Sequence, residues 1–509
     1  MNQLHHLRAQ TGSMLVGLLV FIVAFATLGL AVGSMIVVTL GTGVRAEHSE
    51  QAFNAAEAGL NYYLWHLNHD AADQRDGQST PATPGPLGYG PYVHTYQDNE
   101  GNDIGTYTLY ILPGASGSTT VTVRSIGKVS RYPSATRTVE AKIGAPSFST
   151  FAVAGNTALW FGNTESTSGP VHSNIGIKMD GSNTDQITSA RSSYTVPSWS
   201  GSGAGTTKAG VWCDTAITSP VNCNSRNKTS WSYPVPAVDF NKISGDLCAL
   251  KKIATNNTAA NACTLRPTRT SGYIPAVSAS PYSATVGYLI SLNDNGTYNL
   301  EQVSNERDTR TSYATALTRT TVAANVAIPA HGVIFVEDNV WVRSSGPTGF
   351  NGRVTIASAR LGVTGTSKAV IAGDIEYADK YNGNDAVGIV AQGNVEVAPY
   401  VNAPVEINGA LISQAGSVGI RQKYVETGNW VKGYVGTTQG LTFFGSLASN
   451  LEWTWSVLLC GTQSNASCWA GYRYTTTVYD ENLRYAPPPN FPVTSSFDML
   501  SWREVLTTP

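Results

Sequence analysis

The order of apolar and polar positions divides the chain into three textures. Residues 14–40 form a run of 27 with no charged side chain. That exceeds the ~20 residues a helix needs to cross a bilayer. Residues 44–68 continue as helix, with no proline and one glycine. Phe53, Ala56, Leu60, Tyr63, Leu64 and Leu67 fall on one face, while Arg45, Glu47, Glu50, Gln51, Asn54 and Glu57 lie mostly elsewhere. The two segments predict one rod of roughly 55 residues, ~80 Å long. Its first half is apolar all round and its second half is suited to packing on a soluble domain. Arg8 precedes the apolar run, which by the positive-inside tendency puts the leader in the cytoplasm and the rest outside. A cleaved secretory signal is the alternative. Its apolar core spans ~7–15 residues, shorter than this run, although Ala31, Val32 and Gly33 offer a small-x-small cut.

Behind the helix the period changes to two. Residues 71–92 are rich in Pro, Gly, Asp and Gln and read as a linker. Strands follow at 105–112, 119–127 and 135–144, where Val139, Ala141 and Ile143 alternate with Thr138, Glu140 and Lys142. The apolar face of such a sheet needs a cover, and the helix face from Phe53 to Leu67 supplies one. From residue 151 onward short apolar runs recur, each introduced by Gly or Asn. The runs at 337–342, 351–357, 372–378 and 392–398 align Val340, Val354, Ile375 and Val395 in an imperfect repeat near ~20 residues. β-branched residues between Gly, Asn and Asp corners predict a right-handed β-solenoid-like domain in which each coil stacks on the next. A β-sandwich is the alternative. Residues 154–178 are candidate first coils, and the stretch around 182–323 reads as an irregular insertion. The expected fold is mainly β with a long N-terminal α-helix. Its layout is a leader-like segment 1–12, a helix 13–70, a linker 71–92, a small sheet 93–146 and a large domain 147–509.

A resemblance enters at residues 50–67, EQAFNAAEAGLNYYLWHL. With the polar leader, Gly12 and the apolar run, this segment resembles the N-terminus of PilX-type minor pilins, where A-F-x-A-A-E-A-G/A follows the hydrophobic stretch. The matching positions are Ala52, Phe53, Ala55, Ala56, Glu57, Ala58 and Gly59. The resemblance implies a helix lying on an antiparallel sheet, and a prepilin peptidase that cuts after Gly12 to leave Ser13 as the mature first residue. The family prefers Phe there. The fifth mature position, normally a glutamate that pairs with a neighbouring subunit's N-terminus, is Gly17. That departure implies a minor subunit. The implied partners are major and minor pilins, with the inner membrane as host before assembly. Residues 151–505 resemble an uncharacterised solenoid-like domain found behind pilin-type N-termini in bacterial surface proteins, with no established catalytic residues.

Composition narrows the chemistry. Charged residues are 13%, against a typical ~25%. A net charge of −2 excludes a broadly basic nucleic-acid binder. Many Gly and Tyr with few Met suit an exported β protein. The six cysteines are Cys213, Cys223, Cys248, Cys263, Cys460 and Cys468. An even number in an exported chain favours disulfides, and nearest-neighbour pairing would close three short loops. Zinc and free buried thiols are the alternatives, though no C-x₂-C pair or nearby histidine supports zinc. No H-E-x-x-H, G-x-S-x-G or phosphate-cradling loop is present. His66 and His69 share a helix face. Asp374, Glu376, Asp379 and Asp385 are the close acidic grouping that glycoside hydrolysis would need, but turn-forming Asp also explains them. Asp98, Glu100, Asn102 and Asp103 offer oxygen ligands without a full calcium loop, and a hairpin turn also explains them. Trp160, Trp212, Trp231, Trp341, Trp430, Trp453, Trp455 and Trp469 suit either a sugar contact or a β-core. The expectation is a non-enzymatic, cofactor-free subunit of a pilus or pseudopilus, placed at the tip and acting in assembly priming or adhesion to a surface or glycan ligand. Two alternatives remain: a membrane-anchored carbohydrate-binding or carbohydrate-active protein, and an anchored envelope protein that never joins a filament.

Overall fold

The structure is a computed structural model. It describes residues 11–70, 73, 75–114, 120–163, 165–216, 223, 228–307, 316–401, 404–421, 440–458, 469–472, 475–484, 486–494 and 497–505. The chain divides into two compact units: Met1–Leu112 with Thr122–Ile143 and Met499–Pro509, and Pro113–Val121 with Gly144–Asp498.

The first unit is built on α1, Thr11–His69, a helix of 59 residues. From Met14 to Leu40 every large apolar side chain is more than half exposed. Among the described residues this is the one helix long and apolar enough to cross a membrane. Its hydroxyls turn back on the helix: Thr27 donates to the Ala24 carbonyl, Ser34 to Ala31, Thr39 to Met35 and Thr42 to Thr39. No hydroxyl among these four needs water, which suits an apolar surround. From Ala52 onward α1 lies on a sheet. Its strands are β1, Tyr89–Gln97; β2, Asp103–Pro113; β3, Thr120–Val129; and β4, Thr136–Gly144, in that spatial order. β1 and β2 are antiparallel, and Asp98 closes their turn by accepting from the Glu100 and Asn102 N–H groups.

A fifth strand comes from the far end of the sequence. Residues Asp498–Val505 pair beside β4, although the sequence pattern groups them with the large domain. Glu140 ties the three strands together, pairing with Arg124 on β3 at 2.7 Å and with Arg503 on the last strand. Burial opposes ionisation of Glu140, but the two guanidinium groups outweigh it and hold its carboxyl below the ordinary range.

The second unit is made of strands that alternate between two mostly parallel sheets. From Val333 to Thr454 consecutive strands switch sheets at each step. One sheet runs Val333–Val336, Arg353–Ser358, Ala386–Ala391, Val405–Ser413, Leu441–Ser449; the other runs Asn339–Ser345, Ala369–Ile371, Val395–Val397, Val418–Ile420, Trp453–Thr454. The hydrophobic runs aligned at Val340, Val354, Ile375 and Val395 therefore do not share one stack. Val340 and Val395 belong to a row in the second sheet with Ala369 between them; Val354 pairs with Val387 in the first, and Ile375 bridges to Ile407. Each consecutive pair of strands places one in either sheet, so a single ~20-residue period conflates two registers.

The first sheet extends past its last coil into the early part of the chain. Leu441–Ser449 pairs with Val153–Gly155, which pairs with Val171–Ser173, then Ile187–Ser189, then Trp231–Ser232. One apolar row threads it: Ile334, Ile356, Ile389, Leu411, Leu447, Val153, Val171, Ile187 and Trp231. A shorter sheet, Leu159–Phe161, Ile177–Met179 and Val211–Trp212, follows the second sheet, with Phe161 against Trp453 at 5.1 Å. The stretch around 182–323 thus supplies ladder strands as well as an excursion. That excursion carries α2, Lys242–Thr255. Ile243, Leu247, Leu250 and Ala254 recur at helical spacing and are buried with Ala154, Phe335, Ala357, Val390, Ala410, Ile412 and Ala448 of the first sheet. With both faces covered, its central strands read as unbroken buried runs instead of alternating ones.

Polar corners hold the coils. Asn339 donates to the Ser283 and Val286 carbonyls and accepts from Tyr282 and the Lys368 N–H. Asn394 accepts from the Ser417 N–H. A side-chain amide both donates and accepts, so one Asn satisfies backbone groups on neighbouring coils.

Candidate functional site

The expected processing positions Gly12 and Ser13 lie within α1. Gly17, Gly29 and Gly33 on the exposed part of α1 have open space around them.

The Ala52 to Gly59 motif is the seam between α1 and its sheet. Ala52, Ala55 and Ala56 are fully buried. A Cβ on Gly127 of β3 would sit 1.9 Å from the Ala52 carbonyl oxygen, and one on Gly59 would sit 2.3 Å from Ser125 Oγ. Small residues on both sides let helix and strand backbones touch. Phe53 is half-buried, edge-on to Trp502 of the last strand at 5.9 Å and beneath the Arg137 guanidinium at 5.3 Å. Glu57 and Ala58 are half-buried.

At the end of α1 two histidine–aspartate pairs form. His66 meets Asp73 at 3.0 Å, and His94 of β1 meets the buried Asp76 at 2.6 Å. Tyr107 stacks on His94 at 5.1 Å, and Tyr62 lies tilted against it at 4.7 Å. Burial works against the Asp73 charge, but the Arg75 and Gly77 N–H groups and His66 prevail, and its carboxyl lies below the usual range. His69 instead bonds the Trp65 carbonyl, so the two helix histidines do not converge. No group of three or more metal-ligating side chains occurs among the described residues.

Two of the three nearest-neighbour cysteine pairings are present, Cys213–Cys223 and Cys248–Cys263. For these four the disulfides replace the zinc and free-thiol readings. Cys460 and Cys468 lie outside the described residues. The acidic grouping is largely occupied with backbone: Asp385 accepts from the Gly352 and Asp379 N–H groups, Asp379 from Tyr381 and Asp374 from Glu406. Burial and then the neighbouring Asp374 and Glu406 push the Glu376 carboxyl up.

A cleft lies where the long sheet and the short sheet end. Val211, the last rung of the short sheet, and Trp231, the last rung of the long one, line a cleft of about 490 Å³ with Trp212, Cys213, Thr215, Cys223, Lys228 and Tyr233. Trp231 packs one side on the core. Trp212 is fixed by its Nε1–H to Tyr194 at 2.9 Å. Behind it, Lys178 is buried between the Trp160 and Trp212 rings at 4.9 and 5.3 Å, donates to the Ser200 and Ser202 carbonyls, and lies 3.3 Å from Asp180. Sequence reasoning had the tryptophans and the cysteine pair but not their meeting. The available signal was Trp212 adjoining Cys213, with Trp231 and Tyr233 soon after Cys223.

No family model matches the chain, and no curated protein matches it. Among solved structures it is similar to the crystal structure of the competence-associated pilin ComZ from Thermus thermophilus, at 15% identity, over 90% of this chain and 98% of that one, with a TM-score of 0.26. A score that low does not establish a common fold.

Proposed function

We propose that the protein is a minor, PilX-type pilin-like subunit of a bacterial type IV pilus or pseudopilus, without enzymatic activity. The observation that carries this reading is the division of α1: a bare apolar half to Leu40, and a half from Ala52 to Leu67 sealed onto a small sheet by the Ala52 to Gly59 motif. In this reading the bare half first spans the inner membrane, with the remainder outside. It then enters a filament core, where other subunits replace lipid; burial of the same apolar surface is favourable in both settings. Prepilin peptidase cuts between Gly12 and Ser13. Gly17 in place of a glutamate suits a subunit present in few copies. The second unit, proposed to be a β-solenoid from its sheet-switching strands, is too bulky to repeat along a thin filament, which favours the tip and a role in priming or adhesion.

The test is mass spectrometry of the native N-terminus combined with isolation of sheared filaments. A mature start at Ser13 and recovery with the major pilin are expected. An intact Met1 in a chain absent from filaments overturns the proposal, as does a secreted product lacking residues 14–40.

A further inference from the structure

The terminal cleft suits a ligand, and its chemistry restricts which. We infer that the cleft formed by Trp212, Trp231, Tyr233 and Lys228 binds an acidic saccharide, a sugar unit bearing a carboxylate. The inference deepens the adhesive part of the reading above and rests on it.

Four observations converge. The cleft is the open end of a continuous core: Trp231 closes the apolar row that starts at Ile334, and no described residue continues the row. Its volume of about 490 Å³ lies within the usual range of ~300–1,000 Å³ for small-ligand sites. It is pre-shaped. Trp212 is held by Tyr194 and by Lys178 behind it, the Cys213–Cys223 disulfide crosses the cleft lining, and Trp231 is registered on Ile187. Such rigidity lowers the ordering cost of binding. Finally, the lining has one sign of charge. Lys228 is exposed, its ammonium 5.7 Å from the Trp231 ring, Lys208 places a second ammonium 5.2 Å over the Trp212 ring, and no carboxylate is among the described lining residues. Asp214, beside Cys213, is not among the lining residues and accepts from Ser202 and from the Ala216 N–H.

Flat aromatic faces beside polar groups suit sugar rings, whose C–H faces are apolar and whose edges are hydroxylated. A flexible ammonium at the rim recognises a carboxylate as a point charge. A peptide added as an extra strand is disfavoured, because the outermost strand, Trp231–Ser232, is two residues long and presents too short an edge.

The test uses the full chain in detergent micelles, titrated calorimetrically with tri-galacturonate and with its methyl-esterified form, which keeps the rings and removes the charge. Tri-galacturonate is expected to bind the tighter, and the preference to shrink with added salt. Lys228→Gln, a change at an exposed position, should weaken tri-galacturonate about 5-fold and leave the ester unchanged, and Trp231→Ala should weaken both about 10-fold or more. Equal binding of the two probes, no heat with either, or an unchanged affinity for both in Trp231→Ala overturns the inference. A lowered melting temperature in Trp231→Ala with full affinity would make Trp231 a cap and also overturn it. Filament recovery of Lys228→Gln is read separately. Binding lost with recovery intact supports the cleft, and failure of wild-type recovery counts against the subunit reading alone.

Discussion

At the scale of single residues, Gly127 is the tightest point of the first unit. Any side chain there meets the Ala52 carbonyl. Gly127→Ala is expected to cost about 1–3 kcal/mol, read as a lowered melting temperature, because backbone cannot yield as a side-chain tip would. Asp246 on α2 behaves in the opposite way. Burial raises its carboxyl from 3.8 to about 6, although the Val493 N–H partly favours the charge. A raised carboxylate contributes stability below pH 3.8, which is lost as pH rises through about 6. Asp246→Asn keeps an acceptor for Val493 and removes the charge. It should therefore raise stability at pH 7 by about 1–2 kcal/mol and flatten the pH dependence between pH 4 and 6, checked by denaturation across that range.

Elements show how much could be read ahead of the structure. The buried positions Ala56, Leu60, Tyr63 and Leu67 followed from helical spacing, because amphipathicity is local. Ala52, Ala55 and Gly59 were legible only as a motif; their role depends on Gly127 and Ser125, which sequence distance hides. The strands were legible as Val and Ile runs with Asn corners, whereas sheet membership was not, since consecutive runs go to different sheets. The strands at 187–189 and 231–232 lie in Ser- and Asn-rich sequence and owe their place to pairing rather than propensity. For α2 the disulfide loop gives a direct prediction. Cys248–Cys263 closes a separation of 15 residues, so Cys248→Ser with Cys263→Ser should cost about 3 kcal/mol in chemical denaturation. The buried Lys251–Glu337 pair beside it, 2.5 Å apart and joined by the Tyr273 hydroxyl, also ties α2 to the residue that follows Val333–Val336.

On the scale of the whole molecule, two units with separate cores should unfold in two calorimetric transitions. Deleting residues 498–505 removes Trp502 from Phe53 and Arg503 from Glu140. It should lower one transition and leave the other in place.

The route of the chain through its own ladder has a consequence for folding during synthesis. Winding begins in the middle, at Val153–Gly155, proceeds to Trp231, and returns by way of α2 and Tyr273–Ile274 from the opposite end. Chain emerging amino end first covers one flank of Val153–Gly155 early, with Val171–Ser173, but leaves the other bare until Leu441–Ser449 follows. During most of synthesis the nascent sheet therefore carries an unsealed edge, the kind through which neighbouring copies join or exchange strands. Safe folding of this protein depends on how quickly its last third emerges.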